Sequence, residues 1–272
     1  MEKRLKPLYM IVSDKGGVGK TTVACVLADH AKHQSKPVAL WDFDAAVKGF
    51  SRIYGANDND CLTGVELVNP DNQESFINFL GQLETISQQV DYGVIDTPGG
   101  LVQRWSEQKT VIPEPVMFSS TLESYGWRLV FISVIGTDLQ SAQGVFNLIA
   151  NYQTNAAYAV VKNGHYGRLG SNAKSDFHYY DPASLLQGAH HKYPGHDNSL
   201  SEAIDLIGGK TFSLASINSN YVSDIMRKLS KPYHHFTGSD IGGASMYLVT
   251  WLAAIRSLAS QIENEWSVCD DK

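Results

Sequence analysis

The sequence predicts a doubly wound α/β fold, one mostly parallel sheet with helices on both faces. Short apolar runs at 8–13, 37–42, 91–96, 115–118, 129–135, 157–162 and 211–217 read as strands. Between them lie stretches with helical spacing, such as Phe76, Ile77, Phe79, Leu80, Leu83 and Ile86 within 72–89, and a similar run at 139–152. Several strands stop at a glycine-rich turn or a carboxylate, the edge at which such sheets place ligands.

The first strand leads into Lys15-Gly16-Gly17-Val18-Gly19-Lys20-Thr21-Thr22, and the helical pattern Val23-Ala24-Cys25-Val26-Leu27-Ala28 follows at once. This is the pattern of a phosphate-binding loop. Glycines let successive N–H groups curl around an anion, the helix adds its unpaired N-terminal donors, Lys20 reaches the terminal phosphates and Thr21 holds Mg²⁺. Asp14 stands where such loops usually carry their first glycine, and a second lysine, Lys15, follows it. Taken alone, Lys15 reads equally as a solvated loop lysine.

The second strand ends in Asp42-Phe43-Asp44. Alternation points both carboxylates to one side of an extended chain, so one can meet the loop while the other faces the γ-phosphate and attacking water. Either could instead cap a neighbouring helix. The next such strand runs into Ile95-Asp96-Thr97-Pro98-Gly99-Gly100. A carboxylate at that edge can hold Mg²⁺ through its water shell, and the glycines after it permit a mobile phosphate sensor. As a bare string, Asp-Thr-Pro-Gly is an ordinary turn. A later strand ends at Asn163-Gly164, which is also a common turn.

In this order and spacing, the Lys15 loop, the Asp42/Asp44 pair and Asp96 resemble the deviant Walker A ATPases of the ParA/MinD family. The resemblance spans residues 8–55 and 90–100. It implies ATP and Mg²⁺ as ligands, with nucleotide contacts from Gly16, Gly17, Val18, Gly19, Lys20, Thr21 and Thr22, and with Asn163 at the adenine. Thr21, Asp44 in switch I and Asp96 in Walker B would serve the metal, the carboxylates through water, and the glycine-containing turn after Asp96 would be the mobile switch II. Lys15, Lys20, Asp44 and Asp96 become the catalytic set. The extra lysine implies an ATP-bound homodimer, since in the family it touches the partner subunit's phosphates. The implied function is a slow, partner-stimulated ATP hydrolase that positions or segregates DNA or a DNA-bound complex in partition or conjugation. The chain begins almost at the loop and so looks like the short form. Its Asp-Thr-Pro-Gly-Gly and Val-Val-Lys-Asn strings lean toward TraL- or VirC-like members. Two alternatives stay open: a ligase- or synthetase-like enzyme of the same broad fold acting on a small molecule, or positioning of a protein complex without DNA. An iron–sulfur carrier would require paired cysteines.

The 272 residues read as one ATPase domain, with a loop-rich insertion at 164–199. His190, His191 and His196 in that insertion read as loop histidines, for they lack a further ligand. Cys25, Cys61 and Cys269 show no pairing or metal spacing, and neither a leader nor a long apolar run is present, so a cytoplasmic protein is expected. Met246, Val249, Leu252, Ala253, Ile255, Ala259, Ile262 and Trp266 form an apolar stripe. With Arg256 its one basic residue and Glu263, Glu265, Asp270 and Asp271 near it, that helix reads as a core helix and not a membrane anchor. The net charge of −6 does not advertise nucleic acid. Local clusters, Lys3, Arg4 and Lys6 and above all Arg227, Lys228 and Lys231, are candidates for non-specific DNA contact or for a solvated face.

Overall fold

The computed structural model describes residues 5–55, 65–164, 199–217 and 220–267. Its strands are β1 (Lys6–Val12), β2 (Val38–Asp42), β3 (Glu66–Leu67), β4 (Tyr92–Asp96), β5 (Trp127–Ile135), β6 (Ala157–Asn163) and β7 (Lys210–Leu214). They form one sheet in the order β3-β2-β4-β1-β5-β6-β7, and every neighbouring pair is parallel. The carboxyl ends of all seven therefore meet one edge.

Parallel strands need crossover connections. These contain α1 (Lys20–His33), α2 (Gly49–Tyr54), α3 (Gln73–Ile86), α4 (Leu101–Ser106), α5 (Pro115–Tyr125), α6 (Leu139–Tyr152) and α7 (Leu200–Leu206), with α8 (Asn220–Leu229), α9 (Gly238–Ile241) and α10 (Ser245–Ser267) after β7. Side chains capture the first turns of three: Asn72 accepts from Ser75 N, Asp138 from Ser141 N, and Ser199 forms a reciprocal box with Glu202. Each such cap is worth ~1 kcal/mol.

Strand alternation sorts the core into two layers. Tyr9, Ile11, Val38, Leu40, Val130, Ile132 and Val161 enter the layer covered by α1, α8 and α10. Their neighbours Leu8, Met10, Ala39, Trp41, Leu129, Phe131 and Val160 enter the layer covered by α3, α4, α5 and α6. With both faces covered, these strands are apolar throughout, which is why they read as continuous runs in the sequence.

Some sequence expectations need correction. Residues 115–118 open α5 and do not form a strand: Pro115 suits a helix's first turn, and Phe118 and Leu122 are buried one turn apart. The two-residue, exposed β3 carries too little pattern to read. Lys6 is no candidate for DNA contact, because its ammonium donates to the Ser87 and Val90 carbonyls after α3 at 2.7 and 2.6 Å. Lys3, Arg4, Cys61, Cys269 and the histidines at 190, 191 and 196, with nearly all of the expected insertion, lie outside the described residues. Cys25 is buried inside α1.

By length and composition α10 could cross a membrane. It packs instead against α1 and β7, burying Trp251, Ile255, Leu258, Ile262 and Trp266 as a core helix would, although Met246 and Val249 of the expected stripe are exposed. Two ionic clusters fasten α10 to α1. Asp29, wholly buried, receives Arg256 Nε at 3.1 Å and lies 3.4 Å from His234 Nδ1. Glu263 meets His30 Nε2 at 2.8 Å and pairs with Lys36.

Candidate functional site

The loop from β1 to α1 is shaped to receive an anion. Lys15, Gly16 and Gly17 are exposed, Val18 folds inward, and Gly19 begins α1 at φ 101°, where an L side chain would be strained. No side chain caps α1, and its first turn carries no acidic residue. The N-terminal N–H groups and the positive end of the helix dipole are therefore left for a ligand.

Lys20 is buried beneath the loop, its Nζ 3.4 Å from the Lys15 carbonyl oxygen. Burial pulls its pKa down, while Asp96, Asp44 and Asp14 oppose the shift. Those carboxylates keep a charge available where a phosphate would sit.

Strand register places Asp96 beside both Ile11 and Asp42. Thr21 Oγ1 donates to Asp96 Oδ2 at 2.6 Å, and Asp96 Oδ1 is buried with no hydrogen-bond partner. Burial first, then the Asp42 and Asp44 carboxylates, push the Asp96 pKa up to about 7, against the Thr21 bond and Lys20. An orphaned carboxylate oxygen next to a hydroxyl, with two more carboxylates near, fits a hydrated divalent cation. Thr21 is the residue that would hold Mg²⁺ directly, with Asp96 and Asp44 acting through its water shell.

Asp42 does not meet the phosphate loop but takes the helix-capping alternative, bonding Ser51 N in the first turn of α2, while Asp44 stays on the turn between them. Asp42 is fully buried, its two oxygens accepting from Asp44 N and Ser51 N at 2.9 Å each. It fixes the turn between β2 and α2. Asp44 is half-exposed; its Oδ1 accepts from Val47 N at 3.0 Å, and its charge acts on both Lys20 and Asp96.

The turn after Asp96 is locked onto the loop. Thr97 Oγ1 donates to the Ile11 carbonyl at 2.6 Å and Gly100 N to the Ser13 carbonyl at 3.3 Å. A Cβ on Gly99 would come within 3.3 Å of Gly16 Cα. Asp14, buried, accepts from Gln103 N in α4 at 3.1 Å. Gln103 escaped sequence reasoning, although the aspartate in place of a glycine was the signal that something there must be satisfied.

Asn163 donates its amide to the Val18 carbonyl at 2.7 Å and so braces the loop from β6. It also lines a cleft of about 610 Å³ shared by Gly17, Gly19, Thr21 and Thr22. Arg227 and Lys231, separated from the loop in sequence, line this same cleft. Arg227 is ion-paired with Asp224 at 2.9 Å and Lys231 with Asp240 at 2.7 Å. Arg227 and Lys228 are both exposed, and Lys228 alone of the three lies outside the cleft lining.

Residues 9–163 match the family described as the CobQ/CobB/MinD/ParA nucleotide binding domain. The chain is similar to Protein MobD of Acidithiobacillus ferrooxidans, 27% identical over 165 residues that make up 60% of this chain and 65% of that one. It spans less than two thirds of the length of the curated relatives it matches. Among solved structures, the MinC:MinD cell division protein complex of Aquifex aeolicus superposes with a TM-score of 0.54 at 15% identity, covering 98% of this chain and 99% of that one. The septum site-determining protein MinD of Pyrococcus horikoshii, complexed with Mg-ADP, gives 0.51 at 16% identity, with 96% and 97% covered. At these identities the structural likeness establishes the fold.

Proposed function

The chain belongs to the CobQ/CobB/MinD/ParA nucleotide-binding domain family, and we propose that within it the protein is an ATP-dependent dimerising switch that positions or segregates DNA or a DNA-bound complex, hydrolysing ATP slowly until a partner protein stimulates it. The observation that carries this reading is the contrast between two lysines. Lys20 is buried under the loop, whereas Lys15 is exposed at its crest with no ion pair among the described residues. A cation held there can reach a phosphate bound by a second copy.

In this reading Lys20 and the N–H groups of residues 16–22 bind the β- and γ-phosphates. Thr21 directly, with Asp96 and Asp44 through water, would hold Mg²⁺, which would neutralise charge on the transferring phosphoryl group. Asp44, on the half-exposed turn, orients the attacking water. The Mg-ADP carried by the Pyrococcus horikoshii MinD structure supports the same pairing of nucleotide and metal here. Asn163, beside the loop in the cleft, is assigned in this reading to the base side of the nucleotide. Two copies together would double the phosphate contacts offered by Lys228 and its neighbours Arg227 and Lys231.

Light scattering and phosphate release test the proposal. Wild-type protein dimerises with ATP, Lys15→Ala stays monomeric, and Asp44→Ala accumulates as a dimer with little turnover. Lys15→Ala dimerising and hydrolysing as wild type would remove the switch reading. In a DNA arm, the Asp44→Ala dimer binds any duplex in a salt-sensitive manner and Lys228→Glu weakens this for every sequence. No DNA binding by that dimer leaves positioning of a protein complex or small-molecule chemistry in its place.

A further inference from the structure

Asp14 occupies a position where a phosphate loop ordinarily needs no side chain, yet it touches two helices, α4 and α6, at once. Its Oδ1 accepts from the backbone N–H of Gln103, in the first turn of α4. The helix's own N-cap residue, Gly100, offers no side chain for this purpose. Its backbone carbonyl accepts from Gln140 Nε2 of α6 at 2.9 Å. Its Oδ2 lies against Gly144 of α6, where an added Cβ would sit 3.0 Å away. Gly144 is buried in a helix interior, a place where glycine is otherwise costly. The space its missing side chain leaves is the space the Asp14 carboxylate uses.

We propose that Asp14 is a positioning residue that couples the phosphate loop to switch II, holding α4 in place through Gln103 N–H so that the helix follows the occupancy of the loop. The inference rests on the ATPase reading for what α4 responds to.

The two ends of the coupling are adjacent. Asp14 precedes Lys15 and Gly16, whose backbone lies against Gly99 of the switch II turn, and its charge acts on Lys20. In the other direction, α4 begins directly after the turn that carries Asp96, Thr97 and Gly100. Burial raises the Asp14 pKa, opposed by the Gln103 N–H and by Lys20, as expected for a carboxylate kept inside by specific partners. A shift of the loop around phosphate would move the Asp14 oxygen, and with it the first turn of α4.

Amide hydrogen exchange of α4, with and without a slowly hydrolysed ATP analogue, tests this. In nucleotide-free Asp14→Ala, amides at 101–106 should exchange faster by on the order of tenfold, the usual consequence of losing a helix cap. The extra protection that the analogue gives α4 in wild type should vanish in the variant, measured at analogue concentrations that saturate each protein. Asp14→Asn keeps an acceptor oxygen and should restore both properties. Gly144→Ala, which crowds the carboxylate without removing it, should loosen α4 in the same direction. Unchanged α4 protection in Asp14→Ala, or failure of Asn to restore it, would overturn the proposal. If wild-type protein bound no nucleotide the ATPase reading would fall, and the nucleotide-free exchange data would still decide the contact.

Discussion

Gly19→Ala should be among the most damaging single-methyl additions in this chain, for two separable reasons. At φ 101° an L-residue carries strain of ~1–2 kcal/mol. The added Cβ would lie 2.5 Å from Asn163 Nδ2, so the amide must swing away from its 2.7 Å bond to the Val18 carbonyl. Leaving that buried acceptor unpaired costs a further ~1–3 kcal/mol. Together the substitution should destabilise the fold by ~2–5 kcal/mol. Urea denaturation of Gly19→Ala, Asn163→Ala and the double variant separates the terms. With Asn163 truncated, only the backbone strain should remain, giving a coupling of ~1–3 kcal/mol. Additive effects would refute the steric account and show that Asn163 does not brace the loop.

Three further outcomes follow from the same geometry. Asp42→Asn retains one acceptor for the two N–H groups of Asp44 and Ser51, so it should cost ~1–3 kcal/mol in denaturation and lower the Asp96 pKa from about 7, because the Asp42 charge helps to raise it; unchanged stability would contradict the clamp. The Glu263 carboxyl is held below its usual range, first by His30 and then by Lys36, against partial burial. A depressed folded pKa gives stability that is full above the unfolded value and is lost as pH falls through the folded one, so Glu263→Gln should flatten the acid limb of the stability–pH curve, and an unchanged limb would contradict this. Arg227→Glu should weaken ATP-analogue binding severalfold, measured by fluorescence titration, if the cleft it lines with Gly17, Gly19 and Thr21 receives the nucleotide as proposed; wild-type affinity would return it to an independent face.

Much of this site was legible because its chemistry is local. Residues 15–22 must be consecutive to wrap a phosphate, and Asp42 and Asp96 end strands whose parallel register sets them side by side. The strands were readable because both faces of the sheet are covered, which makes each an unbroken apolar run. What stayed hidden depends on distant partners. Nothing near Arg227 or Lys231 in sequence announces that α8 returns to the cleft. Gln103, Gln140 and Gly144 matter only because α4 and α6 converge on Asp14. Pro115 was misread because an apolar tetrapeptide has no period of its own; the helix shows only when Leu122 is counted with Phe118.

Calorimetric titration of MgATP into wild-type and Lys20→Ala protein tests nucleotide binding at this loop most directly. Wild-type protein should bind saturably with one nucleotide per chain. Lys20→Ala should keep the circular dichroism spectrum of the fold yet give no measurable binding, because the buried ammonium proposed to meet the phosphates is gone. Near-wild-type MgATP affinity in a folded Lys20→Ala protein would contradict the phosphate-loop assignment.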